Sequence, residues 1–221
     1  MFPKNASEQC IVFLEQIEEI LGKWQPPLNT VLLQSAIENT LGIKIKIWLF
    51  HSTTSFLGRV YPSDKNELTV MLKSDMNPYL FRFVFCHEIA HVIHSFKFPS
   101  KFEWPRQLTF KGGSSRYDSP EVQICDDIAM RLLLPEVLLK NWFNKHLSFP
   151  FQGNIFQEEY PEKYCFFKAV EIFQIPPKEL AMYIKQITLG ISVGSRSDNS
   201  WEEIFSRTSL KECISKLKTQ T

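Results

Sequence analysis

Two histidines four residues apart bracket a glutamate in His87-Glu88-Ile89-Ala90-His91. On a helix, positions i and i+4 stand one turn apart on one face, so both imidazoles can reach a single Zn2+ at about 2.0–2.1 Å. Glu88, beside the first histidine, is placed to take a proton from water activated by such a metal, the part of a general base in hydrolysis. The flanks favour burial: Phe83, Val84, Phe85, Ile89, Ala90, Val92 and Ile93 are apolar, and ionisable side chains in that company need partners. Two imidazoles do not hold a catalytic zinc. A third protein ligand is required, with one position left for water. His94 is seven residues past His87, about 10 Å along a straight helix, so it reads as a supporting residue at the cleft edge. The better source is the run from Glu121 to Pro135. Glu121 at its start would complete a His-His-Glu set, and Asp126 or Asp127 would receive the free ring N–H of a ligand histidine and fix its tautomer.

These residues need rigid elements to carry them. The apolar run from Asn77-Pro78 to about residue 96 predicts one long helix around His87 and His91. Ser119-Pro120-Glu121 sets a capping residue before a proline, which starts a second helix running to Leu134, and Pro135 restarts a third. Upstream, Lys at alternate positions of Ile43–Leu49 predicts a strand with one wet face. Residues 56–61 read as its hairpin or sheet neighbour, and 67–73 as a further strand. Helices are also expected over 7–22, 28–40 (ending at Gly42), 162–174 and 177–188, with a short one after the capping-box spacing of Ser200 and Glu203. Residues 99–118 lack periodicity and predict a long loop, of the kind that often serves function. Arg106, Lys111, Arg116 and Tyr117 on it, and His146, Tyr160 and Tyr164 beyond it, are weaker candidates for contacting substrate or an oxyanion.

Composition narrows the class. The 221 residues carry 25 Lys+Arg against 24 Asp+Glu, a formal net charge of +1, with 44% hydrophobic and 22% charged residues. Bulk disorder is excluded, and no basic excess supports direct nucleic-acid or anionic-membrane binding. Five cysteines without a CxxC pair argue against a disulfide framework or a zinc knuckle. With no signal-peptide pattern and no apolar run of membrane-spanning length, a cytoplasmic address is the expectation. The 19 Phe against 8 Gly describe a chain able to bury a large aromatic core.

Arg82-Phe83-Val84-Phe85-Cys86-His87-Glu88-Ile89-Ala90-His91 resembles the first signature of the ImmA/IrrE-type zinc metallopeptidases. Cys125-Asp126-Asp127-Ile128-Ala129-Met130-Arg131-Leu132-Leu133-Leu134-Pro135 resembles their second block. The resemblance covers roughly residues 8–188. It implies a gluzincin-like α+β fold, a small twisted sheet packed on a buried HExxH helix within a mainly helical metallopeptidase domain over 1–191, with 192–221 as a linker and short C-terminal helix. It implies Zn2+ as cofactor and proteolysis of a specific intracellular protein partner, often a helix-turn-helix transcriptional repressor. The alternative is a non-catalytic regulator that keeps the fold and binds its partner without cleaving it. That family sets its third ligand four residues before the Asn/Asp, which falls here on Val122. Glu121 stands one residue early, so a widened or bulged turn between Glu121 and Cys125 is expected, to absorb the offset.

Overall fold

A proline or a short polar cap opens most of the helices, and a mixed sheet of four strands lies against the longest of them. The protein is described here by a computed structural model over residues 26–51, 53, 56–64, 66–97, 110–111, 120–148, 160–189, 200–205 and 209–219. The helix expected over 7–22 and the linker over 192–198 lie outside the described residues.

Helix α1 (Thr30–Leu41) begins where Asn29 Oδ1 accepts from the N–H groups of Val31 and Leu32, and ends at Gly42 in the left-handed region, φ 66°. Glycine supplies that conformation without a Cβ penalty. The strands are β1 (Lys44–Phe50), β2 (Phe56–Asp64), β3 (Glu67–Lys73) and β4 (Phe110–Lys111), in the order β1-β3-β2-β4. β1 runs parallel to β3, whereas β2 is antiparallel to β3. The expected pairing of 56–61 with β1 is therefore corrected. Asp64 pairs with Glu67, so β2 and β3 form an antiparallel hairpin, and β3, with Leu68, Thr69, Val70 and Leu72 buried, lies between β1 and β2. The exposed Lys44 and Lys46 suit β1 to the edge.

Helix α2 (Pro78–Lys97) starts with the Asn77 carboxamide accepting from Leu80 N–H at 2.9 Å and lies across β2 and β3. Its residues from Phe83 to Ile93 are all buried. The Arg82 guanidinium donates to the Leu28 carbonyl and so ties α2 to the segment before α1. Helix α3 (Pro120–Leu133) packs along α2. Helices α4 (Glu136–Ser148), α5 (Pro161–Phe173) and α6 (Pro177–Leu189) follow. Helix α7 (Trp201–Ile204) opens on the capping box of Ser200 and Glu203. Helix α8 (Leu210–Thr219) packs on α6, α4 and α5, so Ile204, Phe205, Cys213, Ile214 and Leu217 extend the same core. The fold class is α+β. Among the described residues no helix is long and apolar enough to cross a membrane.

Candidate metal centre

Helix α2 carries His87 and His91 one turn apart, 1% and 3% exposed, and their rings meet edge to face with centroids 4.8 Å apart. The two Nε2 atoms are 3.1 Å from each other. An ion about 2.0–2.1 Å from both would subtend roughly 100° at its centre, close to the tetrahedral angle that zinc takes. Each ring is held from behind by α3. His87 Nδ1 is 2.7 Å from Asp126 Oδ1, and since a carboxylate only accepts, Nδ1–H donates and Nε2 is left with its lone pair. His91 Nδ1 is 3.2 Å from the Cys125 sulfur. Burial, then the neighbouring His87 and His94, hold His91 well below the ordinary imidazole value. A neutral imidazole is the form that binds a metal.

Glu88 is 0% exposed. Burial raises its carboxyl to about 7, against the opposing effects of His87, the Val60 backbone N–H and Arg59. Neither carboxylate oxygen has a hydrogen-bond partner of good geometry among the described residues; the Val60 N–H acts on it as a nearby dipole. The chain can approach so closely because β2 carries a glycine there. A Cβ at Gly58 would stand 2.7 Å from Val84 Cγ1 and 3.0 Å from Glu88 Oε1.

The remaining expected residues separate. Asp127, one step along α3 from Asp126, does not join the histidines. Its Oδ1 accepts from Gln186 of α6 at 2.7 Å, and Oδ2 lies 3.7 Å from Arg131 Nε. One residue of helix turns a side chain by about 100°, which carries Asp127 to the α3–α6 junction. Burial raises its carboxyl to about 6, with Arg131 opposing. His94 is half-buried on the last turns of α2, close enough to influence His91, and its own basicity is lowered by burial.

Helix α3 is an uninterrupted α-helix from Pro120 to Leu133, so the widened turn expected between Glu121 and Cys125 does not occur. Position 122, where the resembled family carries its ligand, is a half-buried valine one turn ahead of Asp126. Position 121 is one turn ahead of Cys125. Because Cys125 and Asp126 each touch a histidine, both ridges of α3, 121/125 and 122/126, run toward the pair. The Glu121 side chain lies outside the described residues. So do Arg106, Arg116 and Tyr117, whereas the Lys111 backbone forms part of β4. His146 packs on Trp142 with centroids 3.9 Å apart and ring planes tilted by 37°, and Tyr160 precedes α5 with its side chain exposed.

Two residues at the centre escaped sequence reasoning. Cys125 has no part in the site as read from the sequence, and its place next to Asp126 in the second signature block is the available signal. Gly58 sits inside a strand pattern, where an isolated glycine marks close approach of another element. Glu179, at the start of α6, is a further carboxyl raised to about 7 by burial, with Asp126 adding to the shift. Compared with known proteins, the chain matches no family model and no curated protein sequence.

Proposed function

We propose that the chain is a zinc-dependent endopeptidase of the cytoplasm, similar to the ImmA/IrrE type, that cuts one regulatory protein such as a helix-turn-helix repressor. The observation that carries this reading is the 3.1 Å convergence of two buried Nε2 atoms next in sequence to the buried, hydrogen-bond-poor carboxylate of Glu88. Burying such a set without use would cost several kcal/mol, and a cation between the nitrogens accounts for it. His87 and His91 would hold the metal, with Glu121, on the Cys125 ridge, as third ligand. Zinc bound there supplies a Lewis acid that polarises a peptide carbonyl and acidifies water.

The chain's own residues handle orientation and protons. Asp126 and Cys125 fix the two rings from behind. Glu88 accepts a proton from the attacking water as oxygen bonds to the carbonyl carbon, and returns it to the nitrogen as the C–N bond breaks. The packing of Glu88 against Gly58 holds it in one place and keeps bulk water away. Selectivity for one partner fits a cytoplasmic address, where an indiscriminate protease would harm the cell.

The second reading, a regulator that binds without cutting, is favoured by Val122 at the family's ligand position. The test is Glu88→Gln. This substitution keeps both histidines, so zinc content by elemental analysis should match the parent, while cleavage of partner proteins in a native lysate of the source cell, read as new protein termini by mass spectrometry, should fall about 10²–10⁴-fold. Full activity in Glu88→Gln refutes the assigned base. A zinc-loaded parent chain that cuts nothing supports the non-catalytic reading.

A further inference from the structure

Five of the nine exposed large apolar side chains among the described residues belong to α1 and β1: Val31 and Leu32, then Ile47 (43% exposed), Trp48 (55%) and Leu49 (53%). β1 is an outer strand of its sheet, and its hydrogen bonds reveal which residues face outward. Lys44 N–H donates to the Asn66 carbonyl and the Phe50 carbonyl accepts from Ser74 N–H, so even-numbered residues turn their main-chain groups toward β3. Odd-numbered residues therefore present theirs to the free edge.

The first of these is already covered. Ile45 N–H donates to Glu38 Oε1 at 2.7 Å and the Ile45 carbonyl accepts from Gln34 Nε2 at 2.8 Å. Helix α1 thus closes the edge at Ile45, and among the described residues nothing takes the edge-facing groups of Ile47 and Leu49. Val31 stands one turn ahead of Gln34 on the same helix face and flanks the open stretch.

We propose that this open edge pairs antiparallel with the β1 edge of a second copy of the chain, about a two-fold axis through Trp48. The stretch is self-complementary in that register. Ile47 meets Leu49 of the other protomer and Leu49 meets Ile47; both are edge-facing residues, so each opposed pair exchanges two N–H···O bonds, four in all. Trp48 meets Trp48 across the axis, an aromatic cross-strand pair. Lys46 meets Phe50, so no like charges oppose each other. A register centred on Ile47 would bring Leu49 against Ile45, whose edge groups α1 has taken. Lys44 and Lys46 guard only the first half of β1, and an exposed apolar edge such as 47–49 is a ready template for pairing with another chain. The joined sheet would carry its two candidate metal centres at the far sides, since β2, which holds Gly58 against Glu88, is two strands away from β1.

Proline offers a clean probe. Ile47 N–H and Leu49 N–H face the free edge, so proline at either position removes a pairing donor without breaking the ladder to β3. Sedimentation velocity or light scattering of the full chain over a concentration series should give a monomer–dimer equilibrium for the parent. Ile47→Pro and Leu49→Pro should be monomeric at all concentrations, with unchanged circular dichroism and the same zinc content as the parent. A parent chain monomeric at its highest soluble concentration, or a dimer that survives both substitutions, overturns the proposal. A monomeric parent in which Ile47→Pro lowers the melting temperature also overturns it, because another part of the same chain then covers the edge.

Discussion

Asp126 and Asp127 are consecutive residues of one helix, and they serve opposite junctions. Asp126 reaches across to α2 and holds His87 at 2.7 Å. Asp127 reaches across to α6 and holds Gln186 at the same distance. The first belongs to the proposed metal centre, the second to the packing that keeps α3 in place. Asp126 is only half-buried, whereas Asp127 is fully buried, where a carboxylate is costly, and the two differ in their partners. Asp126 has a ring N–H that a cation on the far nitrogen would strengthen as a donor. Asp127 has a neutral amide and an Arg131 guanidinium at 3.7 Å, too far for a good hydrogen bond, and its carboxyl is pushed up to about 6. Position on a helix therefore separates the proposed metal support from the structural anchor more sharply than residue type does.

The strongest way to break this comparison is at Asp126. Asp126→Ala should weaken zinc binding about 10–100-fold, measured by competition with a chelator, because His87 loses the group that fixes its tautomer. Asp127→Asn should leave zinc affinity within about two-fold, since it touches neither histidine. Its effect belongs to stability. The folded carboxyl binds its proton near 6 and the unfolded one near the ordinary 3.8, so the fold favours the protonated form. Its contribution is complete below about pH 4 and is lost as pH rises through 6. Asparagine keeps the acceptor for Gln186 and never ionises. Asp127→Asn should accordingly match the parent at pH 4 and exceed it by about 1–3 kcal/mol above pH 7, in denaturant melts at the two pH values. Equal gains at both pH values would show that charge is not the cause.

Smaller effects sharpen the picture. Gly58→Ala should cost about 1–3 kcal/mol, since the new Cβ drives into Val84 and the Glu88 carboxylate, with hydrolysis falling alongside because the base is displaced. Cys125→Ala should be the mildest, lowering zinc affinity only about two- to five-fold, because a thiol is a weak partner for a ring N–H. A loss as large as that of Asp126→Ala would promote Cys125 to an equal partner.

Much of this is legible in the amino-acid sequence. The HEIAH spacing specifies a helix face, and the apolar residues on either side specify its burial, so the placing of His87, Glu88 and His91 follows from local rules. The prolines at 78, 120, 135 and 177 mark where helices begin. What escaped depends on long-range contact. Nothing in Lys44–Leu49 says that β3, and not β2, lies beside it; the β2–β3 hairpin pairing and the burial of β3 decide that. The same holds for Asp126 against Asp127, where the choice rests on which side of α3 faces α2. The bulge expected near Glu121 came from treating one ridge of α3 as the only one facing the histidines, whereas Cys125 and Asp126 both touch them.

The most direct measurement is the zinc content of the purified full chain by elemental analysis, beside that of His91→Ala. The account predicts one zinc per parent chain and less than a tenth of that in the variant, with circular dichroism showing both folded. A folded parent that takes up no zinc when the metal is supplied, or a His91→Ala chain that keeps its full complement, would contradict it.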